Sequence, residues 1–496
     1  LVRFLIFLFL HDNLNQTKTM NSFLESFDYV IQLYNQYVGG YLILALLVPT
    51  GIYYSIRLKF LQISHFKHAI DLVRGKYSKH DDVGDVSHFK ALTTALSATV
   101  GTGNIVGVTL AIYFGGPGAV FWLWVTGFFG MMLKMVECTL AQKYRRINAD
   151  GTVSGGPMYY IEQGLKDKLG VWAKRLAIFF AFAGILCSLG TGNMAQANSI
   201  SDVLKTSYNI PVLYTGIAIS ALVFLIVVGG LHRIANVTSK LVPLMAIIYF
   251  GSAILVIGVH YADIPSALWL IVKSAFTGQA AVGGFVGSTF FMTMIWGVRR
   301  GLFSNEAGQG SAPMAHAAAK TPYPMREGFV ASLEPFIDTI VICTLTAMVI
   351  ILTGVWKTDG AIKGVGMTVA AFQEGLGKIG IGYMARHMVA ISLLLFAFST
   401  IISWSYYGTR TAQYIFGDKA IKPYYYVFTL FVFFGSVWGI DLVWHFVDMV
   451  ITFMSIPNLI ALLLLFPVMK AEVEGYLKRL KAGEFDLSRD GLRQKE

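Results

Sequence analysis

Charge is what this chain has least of. Only 14% of its 496 residues are Asp, Glu, Lys or Arg, where soluble domains average about 25%. It has three cysteines, Cys138, Cys187 and Cys343, all within apolar stretches and without metal-like spacing. A disulfide framework and a cysteine metal site are therefore unsupported, and packing thiols are the expectation. No GxSxG, HExxH or P-loop ending in Lys-Ser/Thr occurs. The familiar hydrolase, metalloprotease and nucleotide-driven classes thus lose their sequence support. Strict apolar/polar alternation is missing too. Residues 212–230 and 459–468 are apolar on every side, which argues against a β-barrel built from alternating segments.

What remains is greasy almost throughout, with 55% hydrophobic residues and a mean hydropathy of +0.61. Apolar runs long enough to cross a bilayer core of about 30 Å recur along the chain. The expectation is an all-α integral membrane protein. Eleven spans are drawn at 33–55, 89–113, 119–143, 176–204, 212–231, 237–260, 284–319, 329–356, 388–415, 423–438 and 442–469. Residues 261–277 and 360–377 read as helices lying at the surface. Residues 1–10 resemble a short signal-peptide core without a cleavage site, and Met20 reads as the natural start, so residues 1–19 are set aside.

The formal net charge of +11 has no long basic tract that would engage nucleic acid. Lys and Arg fall in alternate loops: Arg57 to Lys79, Lys143 to Arg146, Lys166 to Arg175, Arg233 and Lys240, Lys320 and Arg326, Lys419 and Lys422, and the tail from Lys470. The opposite loops carry only Lys205, Lys273, Lys357, Lys363 and Lys378. The positive-inside rule then puts the N-terminus outside and the C-terminus in the cytoplasm, which an odd number of spans satisfies.

Residues 1–32 form an N-terminal extension, and 33–88 a leading span with an amphipathic basic connector. Residues 89–261 make one five-helix repeat, 262–469 a second, and 470–496 a cytoplasmic tail. Because five is odd, the two halves must be inverted, an arrangement found in secondary transporters. Each half opens on a glycine-interrupted helix: Gly101-Thr102-Gly103-Asn104 with Gly107, and Trp296-Gly297 with Gly301. Glycines allow unwinding. Unwinding inside a bilayer frees backbone groups that a ligand must satisfy. The new helix start suits a carboxylate, and the freed carbonyls before it suit an ammonium group or a hard cation. A zwitterionic amino acid with a cation fits both poles. The competing reading is a small-residue packing stripe.

Gly101-Thr102-Gly103-Asn104, Gly116 to Trp122 and Gly155 to Tyr160 resemble the alanine or glycine:cation symporter family. The most specific match is the fourteen-residue run from Arg300 to Pro313, RGLFSNEAGQGSAP. The resemblance covers about 33–469 and implies a LeuT-type five-plus-five inverted repeat with one extra leading helix. It implies uptake of a small neutral amino acid, alanine or glycine, coupled to Na⁺ across the inner membrane, with no obligatory protein partner and no enzymatic role. By that resemblance Thr102, Gly103 and Asn104 would hold the substrate carboxylate, and Gln196 would reach the same pocket. Trp296 and Gly297 would line the second break, and Trp404 would cap the side-chain pocket. The sodium ion would take backbone oxygens of Ser97 and Val100 and hydroxyls of Ser399 and Thr400.

Each of these has a plainer alternative. Ser399 and Thr400 would bond the preceding turn, Gln196 would make an interhelical hydrogen bond, and Trp404 would be core. Lys134 and Glu137 are expected to pair with each other, and Glu306 to brace Arg299 or Arg300. Glu334 and Asp338 read either as a proton or cation relay or as a buried structural cluster. His316 and His445 look isolated. The rivals to Na⁺ symport are a proton-coupled carrier of the same fold and, from other classes, an ion channel or a membrane-embedded enzyme.

Overall fold

The computed structural model describes residues 26, 28–78, 82–148, 152–277, 289–357 and 364–485. The 1–19 segment, the start of the 284–319 span and the end of the tail lie outside them. Within them the regular structure is helical apart from a hairpin of two-residue strands that pairs Arg146 with Ser154 and Ile147 with Val153, and a single bridge between Val86 and Ala319.

The leading helix α1 (Gly40–Arg57) is followed by the short amphipathic α2 (Phe66–Val73), which buries Ala69 and Leu72 and exposes Lys67. Then comes a helix in two pieces, α3 (His88–Thr99) and α4 (Val108–Gly115). Ser87 caps α3 by accepting the Lys90 N–H at 3.3 Å. The long α5 (Ala119–Lys143), α6 (Pro157–Gly164) and α7 (Val171–Leu189) follow. A π-turn, Gly190–Met194, joins α7 to α8 (Ala195–Tyr208). The first half closes with α9 (Val212–Val227) and α10 (Gly230–Val259).

The second half runs through α11 (Ile264–Thr277), α12 (Phe290–Asn305) and α13 (Pro313–His316). The next helix begins as α14 (Pro324–Ala331), passes through a π-segment, Phe336–Cys343, and ends as α15 (Thr344–Thr353). After it come α16 (Val365–Gly377), α17 (Ala385–Phe416), α18 (Ile421–Val437), α19 (Ile440–Leu464) and α20 (Phe466–Lys481).

Among the described residues, eight helices are long and apolar enough to span a bilayer. Counting α3 and the segment Gly103–Gly115 as one span, bent by 52°, makes nine. Of the eleven expected, α9 and α12 fall short at 16 residues each. The reason differs between them: α9 is simply brief, whereas the chain beyond α12 unwinds. Neither α11 nor α16 lies free on the surface. A methyl group at Gly118 would stand 2.4 Å from the Ala275 nitrogen, and α16 buries Val365, Met367, Ala371 and Phe372.

Apolar side chains cover the outside as well as the core. Ile247 is 71% exposed, Leu225 64% and Phe182 53%. Monomeric soluble proteins do not leave such belts to water, and a bilayer covers them here. Inside, α17 packs against α3, α7, α8 and α10, while α12 packs against α4 and α5. The broken α3–α4 helix is thereby wedged between α17 and α12.

Candidate functional site

The helix breaks where the glycines are. Val100 is extended at ψ 90°, and Gly103–Gly107 coils as a π-turn before α4 starts. The loosened backbone finds partners in side chains. The Gly101 N–H donates to Asn104 Oδ1 at 2.9 Å, and the Thr102 N–H to Gln196 Oε1 at 3.1 Å. Asn104 Nδ2 donates to Asp338 Oδ1 at 2.7 Å, and the Thr346 hydroxyl donates to the Asn104 carbonyl at 2.7 Å. Gly101 has no room for anything larger: an added Cβ would lie 2.5 Å from Thr400 Oγ1 and 2.9 Å from Gln196 Oε1.

On the side facing α17 the oxygens crowd together. Thr400 Oγ1 lies 3.1 Å from the Ser97 carbonyl and 3.4 Å from the Val100 carbonyl. Ser399 Oγ is 3.4 Å from the same Ser97 carbonyl, and Ser97 Oγ donates to the Ser399 carbonyl at 3.0 Å. Ser403 Oγ adds a contact to Ser97 Oγ at 2.9 Å. All are buried. Hard cations such as Na⁺ take oxygen ligands, and this cluster offers carbonyls and hydroxyls with no cationic side chain hydrogen-bonded to them. Ser97, Val100, Ser399 and Thr400 are thus brought to one spot. So are Thr102, Gly103, Asn104 and Gln196, a few residues along the same break.

Trp404 arrives one turn beyond Thr400. It is buried against Gly192, where a methyl would meet its Cγ at 2.0 Å, and its ring meets Tyr407 edge-on at 5.3 Å. Its Nε1–H donates to Glu306 Oε1 at 2.9 Å.

Trp296 and Gly297 go elsewhere, which corrects their expected place. α12 is unbroken through both. Trp296 stacks on Phe114 at 4.3 Å, and Gly297 lets α12 approach α5, a Cβ there falling 2.4 Å from the Ala119 carbonyl oxygen. The second break begins at Glu306, left-handed at φ 55°, and continues through Gly308 and Gly310 at φ 77° and 86°. Gly297 serves helix packing rather than unwinding.

Two carboxylates flank the breaks and, among the described residues, hold neutral hydrogen-bond partners only. Asp338, in the π-segment, accepts from Asn104 and from the hydroxyls of Ser304 and Thr339 at 2.7 and 2.8 Å. Glu306 accepts from Trp404 and from the Ser311 hydroxyl. π-Segments are frequent at functional sites, and this one links the first break to the last turn of α12 through a single side chain. Thr102 Oγ1 and Gln309 Oε1 are buried without a hydrogen-bond partner. Asp338 stood out in the sequence as an acid inside a span. Ser304, Thr346 and Gln309 carried no such signal.

The other buried charges form a separate network. Lys134 pairs with Glu334 at 3.2 Å, not with Glu137, whose Oε2 accepts from Asn458 at 3.0 Å. His316 is far from isolated. Its Nδ1 meets Glu327 and its Nε2 meets Glu334 at 2.6 Å, while Glu327 also holds His88. Cys138, His316 and Glu334 offer ligand atoms within 4.8 Å of one another, but the His316 nitrogens and both Glu334 oxygens are already engaged. Glu306 does not brace the arginines: Arg300 donates to both Asp448 oxygens at 2.5 and 2.6 Å, with Arg299 at 3.8 Å. His445 contacts Asp28 at 2.8 Å.

An interrupted helix wedged between two others, with polar groups converging on the break, is the architecture of the LeuT fold. The structure resembles that of MhsT in complex with L-phenylalanine, with a TM-score of 0.55 at 15% identity over 79% of this chain and 93% of that one. It also resembles a Na⁺-coupled sialic acid symporter in a substrate-bound outward-open state, with a TM-score of 0.50 at 13% identity over 82% of each chain.

The sequence narrows this further. The profile of the sodium:alanine symporter family matches residues 24–489, and the chain belongs to that family. It is 40% identical over 450 residues to the sodium/alanine symporter AgcS of Methanococcus maripaludis, covering 90% of this chain and 96% of that one. A transporter of Haemophilus influenzae is 42% identical over 460 residues, covering 92% and 98%. The probable sodium/glutamine symporter GlnT of Bacillus subtilis is 35% identical over 462 residues, covering 92% of each. The chain is accordingly a multi-pass membrane transporter and not an enzyme.

Proposed function

We propose that this chain carries a small neutral amino acid, alanine or glycine, into the cell together with Na⁺, by alternating access across the inner membrane. The observation that carries the reading is the meeting of the Ser97 and Val100 carbonyls with the Ser399 and Thr400 hydroxyls across the first break. In this reading Na⁺ replaces the hydrogen bonds that those hydroxyls now make. The substrate carboxylate lies against the start of the helix beyond Thr102, beside Gly103 and Asn104, within reach of Gln196. Bound Na⁺ orders the break that holds the carboxylate, and this couples the two. Trp404, packed directly on Gly192, caps the side-chain pocket in this reading and keeps out side chains larger than a methyl group. The basic loops support a cytoplasmic C-terminus and an outside N-terminus.

The test is uptake of labelled L-alanine by purified protein in liposomes, with and without an inward Na⁺ gradient. Accumulation that requires Na⁺ and is competed by glycine is expected, and Asn104→Ala and Thr400→Ala should abolish it. Accumulation driven by a pH gradient alone would replace the cation and keep the fold. No accumulation under either gradient would overturn the amino-acid assignment.

A further inference from the structure

Glu306 has no part in the cycle just outlined, yet it is held more firmly than its position requires. It is the first residue beyond α12, and it takes a left-handed conformation at φ 55° without being glycine. Left-handed backbone at a residue with a side chain persists where the surroundings over-determine it, and it clusters at ligand clamps and active sites. The side-chain contacts here are specific. Oε1 accepts the Trp404 indole N–H at 2.9 Å, and Oε2 accepts the Ser311 hydroxyl from within the same break. Among the described residues no salt bridge engages the carboxylate, and the residue is only 2% exposed. A buried acid with neutral partners is costly in a membrane protein, so a neutral side chain would serve better if packing alone were required.

What the carboxylate fixes is the ring of Trp404. Gly192 walls that ring on one side, and Tyr407 meets it edge-on. Its backbone carbonyl accepts from the Ser188 hydroxyl at 2.8 Å, so the backbone is anchored separately from the ring. Glu306 is the acceptor that the indole N–H uses. Without it the ring keeps its stacking but loses the contact that selects one rotamer, because a buried indole N–H without an acceptor is disfavoured. Trp404 also stands one turn from Thr400 on α17, so the same contact ties the second break to the helix that faces the first.

We propose that Glu306 is a positioning residue that sets the size of the transported side chain, holding the Trp404 indole where it closes the pocket to anything larger than a methyl group. This rests on Trp404 being the cap of that pocket. A glutamine at 306 keeps an oxygen for the indole, and its amide can donate to the rotatable Ser311 hydroxyl. The geometry therefore survives without the charge.

The experiment measures competition by unlabelled leucine and alanine against labelled alanine uptake in proteoliposomes, for the wild type, Glu306→Ala, Glu306→Gln and Trp404→Phe. The readout is the ratio of half-inhibiting leucine to half-inhibiting alanine, which a general loss of folded carrier leaves unchanged. The wild type should discriminate strongly. Glu306→Ala should lower the ratio at least about tenfold, or about 1.4 kcal/mol. Trp404→Phe, which cannot donate, should lower it likewise, and Glu306→Gln should retain the wild-type ratio. A ratio within about twofold of wild type in Glu306→Ala, or a glutamine variant shifted as far as the alanine variant, overturns the proposal. Should Glu306→Ala fail to reach the membrane, an unchanged ratio in Trp404→Phe overturns it instead. A wild type that takes up neither alanine nor glycine defeats the underlying substrate assignment, and this is seen before any variant is compared.

Discussion

Two buried polar regions of this molecule are built on opposite plans. At the first break, the groups facing α17 are neutral: carbonyls of Ser97 and Val100, and hydroxyls of Ser399, Thr400 and Ser403. In the other region, a chain of five ionisable side chains runs His88–Glu327–His316–Glu334–Lys134, each touching the next and none more than 2% exposed. Each region keeps a buried atom without a hydrogen-bond partner, Thr102 Oγ1 in the first and His88 Nε2 in the second. The second supplies both oxygens of Glu327 and of Glu334 with a charged or titratable partner. A site for a visiting cation, the role proposed for the first region, must exchange its contacts readily, so neutral groups that cost little to part suit it. A clasp that joins four helices for good can use paired charges, because breaking one pair leaves another buried charge exposed to hydrocarbon.

That contrast can be broken from either side. The largest effect falls on the charged chain. Glu327→Ala strands two histidines and should destabilise the fold by about 3–5 kcal/mol. It should appear as loss of monodisperse protein in detergent and a lowered melting temperature in whatever remains. Wild-type stability in that variant would mean that the network is ornamental.

Gly101→Ala acts on the neutral region and should leave the melting temperature within a few degrees. It would place a methyl 2.5 Å from Thr400 Oγ1, inside the cation cluster, and should abolish Na⁺-driven alanine uptake in proteoliposomes. Retained uptake would show that the cluster is only packing. A milder change is Ser403→Ala, which removes the hydroxyl touching Ser97 Oγ while sparing both carbonyls. The half-saturating Na⁺ concentration should rise by a few-fold, corresponding to less than about 1.4 kcal/mol. The smallest effect should come from Lys143→Ala. It cuts the partly exposed pair with Glu472 at 2.6 Å, and such pairs contribute about 0–1 kcal/mol. Its uptake and melting temperature should match the wild type.

The sequence exposed these two regions unequally, and the cause is physical. The first break was legible because unwinding needs glycine and a ligand needs polar groups, and Gly101, Thr102, Gly103 and Asn104 supply both within four residues. The α17 side was legible through helical spacing, since Ser399, Thr400 and Trp404 share a face. Sequence alone places the second break too early because glycine has two uses in membrane helices. Gly297 provides close packing on Ala119, whereas the unwinding waits for Glu306, Gly308 and Gly310. The charged chain was illegible for another reason. His88 and Glu327 lie 239 residues apart, and no local spacing brings Lys134 to Glu334 rather than to Glu137, three residues away. Local rules favour the near partner, and tertiary packing chose the far one.

In the proposed cycle the oxygens of Ser97, Val100, Ser399 and Thr400 bind the ion that readies the break for substrate. Equilibrium binding of labelled L-alanine to purified protein, titrated with Na⁺ in the wild type and in Thr400→Ala, tests it most directly. Wild-type alanine affinity should climb steeply with Na⁺, and Thr400→Ala should need at least about tenfold more Na⁺ for the same affinity. Alanine affinity independent of Na⁺ in the wild type, or an unaltered Na⁺ dependence in the variant, would contradict it.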